Sequence, residues 1–500
     1  MQPNATLAKT GIPGLDDVLE GGLPRGRVIL VEGHPGSGKT TLGLQFLLEG
    51  AARGERCLHV TLGESLEELH EVAASHGWSL EGIETLELTA EQTSLNPASS
   101  YTVFDPAEVE LDETLGQVLA AVERSAPDRV VIDSLSEFRL LAESPLRYRH
   151  QTLALKHFLS GRGCTVLLLD DRTSGAGDLD LHSITHGVIS LEQLAPEYGG
   201  ARRRMRVIKL RAQSYRGGWH DFTLERSGVI VCPQLIANDT ETVPAGQALK
   251  SGIAGLDAML GGGVDRGTTT MLVGPSGTGK STIAAHYCFT AASAGEQAAV
   301  FLFDERPATY LGRLDQIGIP LRGLVESGAV TIQNVNPAEL SPGQFASTVA
   351  AAVEPAEGVP ASVVVIDSLN AYLLAMPEER FLMLHLHELL TYLGQLGVAT
   401  FTTNTQRGLL ALNAGDAIEA SYLADTVVAF RYFEAEGEIH QAVSVVKRRT
   451  GNHERTLREL SFTPRGIVIG EPLRAYRGLL TGVPVRVGEP GHEGANHAGS

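Results

Sequence analysis

The chain contains the sequence Gly33-His-Pro-Gly-Ser-Gly-Lys-Thr40, and its second half contains a close variant, Gly274-Pro-Ser-Gly-Thr-Gly-Lys-Ser281. Both fit the pattern G-x-x-x-x-G-K-[S/T], and each follows a short apolar run that predicts a buried strand. Glycines in this pattern let backbone N–H groups turn toward a phosphate, and the helix that follows adds the positive end of its dipole. The sequence therefore predicts two loops that bind nucleotide phosphates.

The side chains of these two P-loops indicate which part of a nucleoside triphosphate they contact. The lysine reaches the β- and γ-phosphate oxygens, and the hydroxyl group after it is a ligand for Mg²⁺. We expect ATP to be bound by Gly33, Gly36, Ser37, Gly38, Lys39, Thr40 and Thr41 in the first half, and by Gly274, Gly277, Thr278, Gly279, Lys280, Ser281 and Thr282 in the second.

The two halves match each other without a gap when the chain is shifted by 241 positions. Thr10-Gly-Ile-Pro-Gly-Leu-Asp16 then aligns with Ser251-Gly-Ile-Ala-Gly-Leu-Asp257. A register held over more than 40 residues indicates a duplicated domain, and 500 residues exceed what one hydrophobic core usually supports. We predict a first domain at 1–236, a linker at 237–248, a second domain at 249–487 and a flexible tail at 488–500.

Short apolar runs alternate with helical patterns in both halves. The predicted strands are Arg27–Glu32, Cys57–Leu62, Arg129–Ile132 and Cys164–Asp170, and then Thr269–Val273, Ala298–Phe303, Ser362–Ile366 and Val398–Thr403. Continuous apolar strands between helices are typical of a parallel sheet that is covered on both faces. The fold class predicted for both halves is α/β.

An aspartate at the end of another apolar strand is expected to complete each metal site. The sequence V-V-I-D ends at Asp133 in the first half and at Asp367 in the second. A buried carboxylate needs a partner to offset its desolvation, and Mg²⁺ prefers oxygen ligands. We predict one Mg²⁺ site at Thr40 and Asp133 and another at Ser281 and Asp367. The alternative is that each aspartate caps the helix that follows.

Matched acidic residues follow the second predicted strand of each half. Glu64 lies 25 positions after the first P-loop lysine, and Glu305 lies 25 positions after the second. At the carboxyl edge of a doubly wound sheet, such a carboxylate orients or deprotonates the attacking water. The second half has the pair Asp304 and Glu305 where the first has Gly63 and Glu64. The alternative is that these acids only favour the start of a helix.

The composition excludes several classes of partner. A net charge of −19 disfavours duplex DNA and anionic membranes as partners, since both require clustered Lys and Arg. We expect the basic cluster Arg202–Arg206 to be a solvated strand start or a contact between subunits. No apolar run is long enough to span a membrane, and Met1–Thr10 lacks a signal-peptide pattern, so we expect a cytoplasmic protein with reduced cysteines.

With these features, the chain resembles the KaiC family of RecA-like ATPases, which includes the core component of the cyanobacterial circadian clock. The resemblance covers about residues 7–487. It rests on the T/S-G-I-x-G-L-D opening, the two P-loops, the acids after the second strand, the V-I-D-S strands and the K-L-R and K-R-R segments. It implies two tandem RecA-like P-loop NTPase domains, each with a mostly parallel sheet covered by helices on both faces.

The resemblance also implies an assembly and partners. KaiC-like proteins form double-ring homohexamers with ATP between subunits, so Lys209, Arg211, Lys447 and Arg449 would reach a neighbour's nucleotide, with each arginine acting on the γ-phosphate. A KaiB-like partner is implied. Only Val487–Ser500 follows the segment that precedes the family's regulatory tail, which disfavours a KaiA-type activator.

The second domain of KaiC autophosphorylates on adjacent Ser and Thr residues. Ser421 occupies the first of these positions here, and Tyr422 replaces the threonine. Asp304 stands where KaiC has the glutamate that serves as kinase base. The resemblance thus predicts an ATPase with serine/threonine autokinase activity in signalling or timing. The alternatives are a RecA-like DNA recombinase or helicase motor, and an ATP-dependent scaffold with low turnover.

Overall fold

The computed structural model describes two compact units, 1–234 and 235–500, called here the first and second unit. The described residues are 7–88, 106–142, 144–172, 178–195, 199–235, 248–336, 338–374, 381–406, 421–435, 437–464, 466–479 and 485–486. Residues 237–247 of the predicted linker and all of the predicted tail 488–500 lie outside these ranges.

The first unit is built around one large sheet. Its strands are β1 (Leu7–Ala8), β2 (Leu23–Pro24), β3 (Val28–Gly33), β4 (Cys57–Thr61), β5 (Ile83–Glu87), β6 (Arg129–Asp133), β7 (Thr165–Asp171), β8 (Gly187–Leu194), β9 (Arg202–Leu210), β10 (His220–Glu225) and β11 (Gly228–Cys232). Its helices are α1 (Leu15–Val18), α2 (Lys39–Ala52), α3 (Leu66–Ser75), α4 (Pro106–Ser125), α5 (Leu135–Leu141), α6 (Pro145–Gly161) and α7 (Asp178–Ile184).

The second unit repeats this architecture. Its strands are β12 (Thr269–Gly274), β13 (Gln297–Leu302), β14 (Val330–Asn334), β15 (Ala361–Asp367), β16 (Ala399–Thr405), β17 (Thr426–Ala435), β18 (Glu438–Arg448), β19 (Arg458–Thr463), β20 (Gly466–Pro472), β21 (Tyr476–Arg477) and β22 (Val485–Arg486). Its helices are α8 (Ala254–Met259), α9 (Lys280–Ser293), α10 (Pro307–Gln316), α11 (Leu321–Glu326), α12 (Pro342–Val353), α13 (Leu369–Leu374) and α14 (Leu382–Gln395), and a 3₁₀ turn covers Ser421–Leu423.

The two large sheets have the same strand order. In the first unit it is β5-β4-β6-β7-β3-β8-β9-β10-β11, and in the second it is β14-β13-β15-β16-β12-β17-β18-β19-β20. In the first unit, β5, β4, β6, β7, β3 and β8 run parallel to one another. An antiparallel extension follows, in which β9, β10 and β11 continue the sheet from β8. In each sheet the P-loop strand, β3 or β12, is central. The predicted α/β fold with mostly parallel sheets is confirmed.

Each sheet is covered by helices on both faces because its central strands are apolar on both sides. Alternate residues of β3 enter two different cores, with Ile29 and Val31 in one and Val28 and Leu30 in the other. The four predicted strands of each half form within two residues of their expected bounds. The sequence analysis did not predict the antiparallel extension. No helix among the described residues is long and apolar enough to cross a membrane.

Candidate functional site

The first P-loop turns sharply between the end of β3 at Gly33 and the start of α2 at Lys39. Gly36 and Gly38 have φ angles of 77° and 97°, a left-handed conformation that other residues adopt only with strain. Gly38 is the residue that caps α2, so the first N–H groups of that helix face the loop. The loop therefore has the geometry of a phosphate cradle.

The side chain of Lys39 folds back onto this loop. Its Nζ donates to the carbonyl oxygens of Gly33 and His34, both at 3.1 Å. It also forms an ion pair with Asp171 Oδ1 at 2.7 Å, and the lysine side chain is only 7% exposed. Asp171 ends β7 directly beside the last residue of β3. The sequence analysis missed this carboxylate.

Thr40 and Asp133 meet beside the lysine. Thr40 Oγ1 donates to Asp133 Oδ2 at 2.7 Å. Burial raises the pKa of Asp133 to about 6, with a further contribution from the charge of Glu64. The residue that caps α5 is Ser134, and Asp133 directs its carboxylate to the P-loop helix. Two oxygen donors, one of them a carboxylate in a site that disfavours its charge, suit a divalent cation.

Glu64 lies between the end of β4 and the start of α3. Its carbonyl accepts from Thr61 Oγ1 at 2.7 Å, and Ser65 is the residue that caps α3 through a capping box with Glu68. Partial burial, with the charges of Glu68 and Asp171, raises the pKa of Glu64. Because Glu64 also contributes to the raised pKa of Asp133, these two carboxylates interact at the carboxyl edge of the sheet.

The second P-loop lines a cavity of about 430 Å³. Lys280 Nζ donates to the carbonyls of Gly274 and Pro275 at 2.9 and 2.7 Å. Burial lowers the pKa of Lys280 to about 8. Ser281 donates to Asp367, and burial raises the pKa of that aspartate. The other residues around this cavity are Ser276, Gly277, Gly279, Thr282, Asp304, Glu305, Arg313, Ile317, Ser368, Thr405 and Phe462.

The two acids after β13 make different contacts. Asp304 accepts a hydrogen bond from Ser368 Oγ. Glu305 forms an ion pair with Arg313 at 3.0 Å, and Arg313 also donates to Thr282 Oγ1 at 2.8 Å. Arg313 therefore ties the acidic pair to the P-loop helix. The sequence analysis missed Arg313, since nothing in its position on α10 marks it.

The four predicted trans cations lie away from the P-loops just described, near the end of β9 or β18. Lys209 Nζ donates to the carbonyl of His182, and Arg211 donates to that of Ser183 at 3.2 Å. Lys447 Nζ donates to the carbonyl of Ser421 at 2.9 Å. Burial lowers the pKa of Lys209 and of Lys447, and the neighbouring arginine adds to the effect.

The two candidate phosphosites lie on the 3₁₀ turn before β17. Arg449 donates to the carbonyl of Tyr422 at 3.1 Å and pairs with Asp425 at 3.4 Å. The side chain of Tyr422 is exposed, and Ser421 is half-buried. Both candidate sites therefore lie in the same small cluster as Lys447 and Arg449.

The structure brings the predicted residues into two kinds of site. In each unit the P-loop, the strand-end aspartate and the acids after the second strand gather at the carboxyl edge of the large sheet. The cations near the ends of β9 and β18 form separate clusters. Two P-loops on sheets of this order define a tandem RecA-like P-loop ATPase.

Comparison with known proteins identifies the family. The family profile described as "ATPase: KaiC" matches residues 8–236 and 249–474. The chain is 27% identical to the circadian clock oscillator protein KaiC of Thermostichus vulcanus over 97% of this chain and 93% of that protein. It is 26% identical to the circadian clock protein KaiC3 of Synechocystis sp., over 95% of this chain and 94% of the relative. The chain belongs to the KaiC family of ATPases, and the resemblance inferred from its motifs is confirmed.

Proposed function

We propose that this protein binds ATP with Mg²⁺ at both P-loops and hydrolyses it. The observation that carries this proposal is the paired hydroxyl and carboxylate beside each P-loop lysine, Thr40 with Asp133 at 2.7 Å and Ser281 with Asp367. The same arrangement has formed twice, on two sheets of identical order. Domains at 1–236 and 249–487, joined by a linker, would each carry one P-loop and one metal site.

The donor set supports magnesium as the metal. Thr40 and Asp133 would hold one ion and Ser281 and Asp367 the other, because hydroxyl and carboxylate oxygens suit a hard cation. When bound, the ion neutralises charge on the phosphate oxygens. The P-loop amides and the lysine would hold the same phosphates.

The acids past the second strand are proposed to act on water. Glu64 in the first unit and Glu305 in the second would orient the attacking water and accept its proton, with Asp304 as a second acid. Partial burial raises the pKa of Glu64, which brings it nearer to that of an effective general base at neutral pH. In the second unit, Arg313 would hold Glu305 in place.

We propose a homohexameric ring in which nucleotide lies between subunits. The four cations contact carbonyl groups of neighbouring elements. Lys209 and Arg211 contact α7, which precedes β8. Lys447 and Arg449 contact the 3₁₀ turn that precedes β17. The guanidinium groups of Arg211 and Arg449 thus lie near strand ends, and this position supports a role in contacting a neighbour's nucleotide. An arginine there would stabilise charge on the transferring phosphoryl group.

The test is phosphate release by the purified full chain with γ-labelled ATP, with and without Mg²⁺. Lys39→Ala and Lys280→Ala, alone and together, assign the release to each unit. We expect each single variant to remove one part and the double variant to remove all of it. Release that survives the double variant would sink the proposal. Gel filtration with light scattering, with and without ATP, tests the hexamer.

A second activity, serine autophosphorylation, is supported by one contact. Lys447, a proposed trans cation, donates to the carbonyl of Ser421, so a nucleotide that reached Lys447 would approach that hydroxyl group. The proposed acceptor is Ser421, with Tyr422 as the other candidate. Label that stays on the protein and disappears in Ser421→Ala would support this activity. Unlabelled protein beside active phosphate release would reject it.

We propose a role in timing or signalling, which the relatives named as circadian clock proteins support. A KaiB-like partner, implied by the family resemblance, and a cytoplasmic location are part of this proposal. The two alternatives make separate predictions. A DNA motor would show phosphate release stimulated by single-stranded DNA, which the net charge of −19 disfavours. A scaffold would bind ATP and change its assembly without appreciable release.

A further inference from the structure

Position 63 of the first unit lacks the acid that the second unit carries at the matching place after its second strand. Shifting the chain by 241 positions aligns Gly63 with Asp304 and Glu64 with Glu305. In the second unit both acids line the cavity beside the P-loop lysine. The loop after the second strand therefore supplies one carboxylate in the first unit and two in the second.

A carboxylate from another element occupies this space in the first unit. A Cβ atom added to Gly63 would lie 3.6 Å from both Cγ and Oε1 of Glu137 and 3.7 Å from its Cδ. An acidic side chain on residue 63 would place its own carboxylate in the same small volume. Glu137 belongs to α5, the helix that follows Asp133 directly. It is half-buried, and its carboxylate makes no ion pair with any residue in the described part of the chain.

The second unit has the reverse arrangement. Asp304 is present after β13 and accepts from Ser368 Oγ, the serine that follows Asp367. The residue that corresponds to Glu137, four positions after the strand-end aspartate, is Ala371. The carboxylate beside position 63 or 304 thus comes from a different element in each unit. The loop after the second strand supplies it in the second unit, and the helix after the metal-site strand supplies it in the first.

From this exchange we infer that Glu137 is a catalytic residue of the first unit, taking the place of an acid at position 63. This inference rests on the proposed ATP hydrolysis. In that reaction the water oxygen forms a bond to the γ-phosphorus, the bond from this phosphorus to the bridging oxygen breaks, and ADP leaves. Glu64 takes the proton of the water, and Glu137 accepts a hydrogen bond from its second O–H group and so holds the lone pair toward phosphorus. Two carboxylates hold one water more firmly than one.

A purely structural role for Glu137 is the competing explanation, because an acid in the first turn of a helix favours that helix. An acid introduced at position 63 distinguishes the two roles, because it could restore a catalytic carboxylate but not a structural one on α5. Gly63 has no left-handed backbone, and a Cβ there meets the atoms of Glu137 at ordinary contact distance. Gly63→Asp can therefore restore a carboxylate to the site without restoring one to α5.

The experiment uses the full chain with Lys280→Ala, so that phosphate release reports the first unit. In this background, Glu137→Ala should lower kcat by about 100-fold, the lower end of the range for an acid or base group, with KM for ATP unchanged. Combining it with Gly63→Asp should restore most of the loss. Gly63→Asp alone should be slower than the combined variant, since two like charges then share one space. Glu71→Gln, which removes an exposed acid of α3, should match the parent.

The inference fails if Glu137→Ala keeps the parental kcat, or if the combined variant is no faster than Glu137→Ala alone. The proposed function would survive either result, because the parent would still release phosphate. If the Lys280→Ala chain releases no phosphate, or releases as much after Lys39→Ala is added, hydrolysis at the first unit is rejected, and the role of Glu137 is rejected with it. Thermal unfolding of each variant identifies a loss of kcat that comes from misfolding.

Discussion

The ion pair between Lys39 and Asp171 should weaken ATP binding to the first unit. The lysine must turn from this carboxylate to the phosphates, and the carboxylate then remains close to the negative charge of the ligand. In the second unit, Thr405 stands beside Gly274 in the sheet, at the position that Asp171 has in the first. Lys280 Nζ donates to the carbonyls of Gly274 and Pro275, and no described carboxylate forms an ion pair with it. The two lysines therefore differ in one acidic partner.

The magnitude follows from the geometry of the pair. A hydrogen bond between charged groups contributes about 1.5–3 kcal/mol net, and Asp171 is 30% exposed, which reduces this value through solvent screening. About 1–2 kcal/mol is left, and this corresponds to roughly a 5-fold to 30-fold change in Kd. Asp171→Asn keeps the shape and removes the charge, so it should tighten ATP binding to the first unit by that factor.

Calorimetric titration of the full Lys280→Ala chain with a non-hydrolysable ATP analogue and Mg²⁺ measures this change. The matched control is Thr405→Asp in the Lys39→Ala chain, which adds the acid to the second site and should weaken binding there. Unchanged or weaker binding by Asp171→Asn would show that the carboxylate does not compete with the phosphates.

Three further outcomes follow from other charged residues. The pKa of Asp133 is raised to about 6. In metal-free protein its ionisation therefore lowers the stability of the folded state progressively from about pH 4 to pH 6. Asp133→Asn should raise the melting temperature at pH 8 and have little effect near pH 4. Glu32 is buried and pairs with His182 at 2.7 Å, so His182→Ala should destabilise the first unit by about 1–3 kcal/mol in denaturant unfolding. Adding Glu32→Val, the residue type found at Val273, should recover most of that loss. Removing Arg313 with Arg313→Ala should lower phosphate release by the second unit and leave that of the first unchanged, as measured in the Lys39→Ala and Lys280→Ala chains.

The sequence predicted the parts of the fold that local patterns encode. Apolar runs, the glycine pattern and the repeat located the central strands of both units and the two P-loops. The antiparallel extension from β8 to β11 was missed because its strands carry charged residues, as in Arg202–Arg206, and because its link to the parallel sheet, β8 with β3, joins distant parts of the chain. Such pairing depends on burial against neighbouring strands, which no short window contains.

The residues of the candidate site were likewise only partly predictable from the sequence. Asp170 and Asp171 are adjacent in sequence, and nothing in the sequence tells which one reaches the P-loop. Since successive side chains of a strand point to opposite faces, Asp170 pairs with Arg139 and Asp171 pairs with Lys39. Glu137 was missed for a related reason, because its closeness to Gly63 arises from the packing of α5 beside the end of β4.

The uncharged residue at position 405 has a consequence for the order in which the two halves take up ligand. As ATP rises from low concentration, the half with Thr405 should fill before the half in which a carboxylate must first release its lysine. Over an intermediate range of ATP, most chains would then carry nucleotide in the second half alone. The protein would have three loading states, empty, half-loaded and full, and so would distinguish scarce from plentiful ATP.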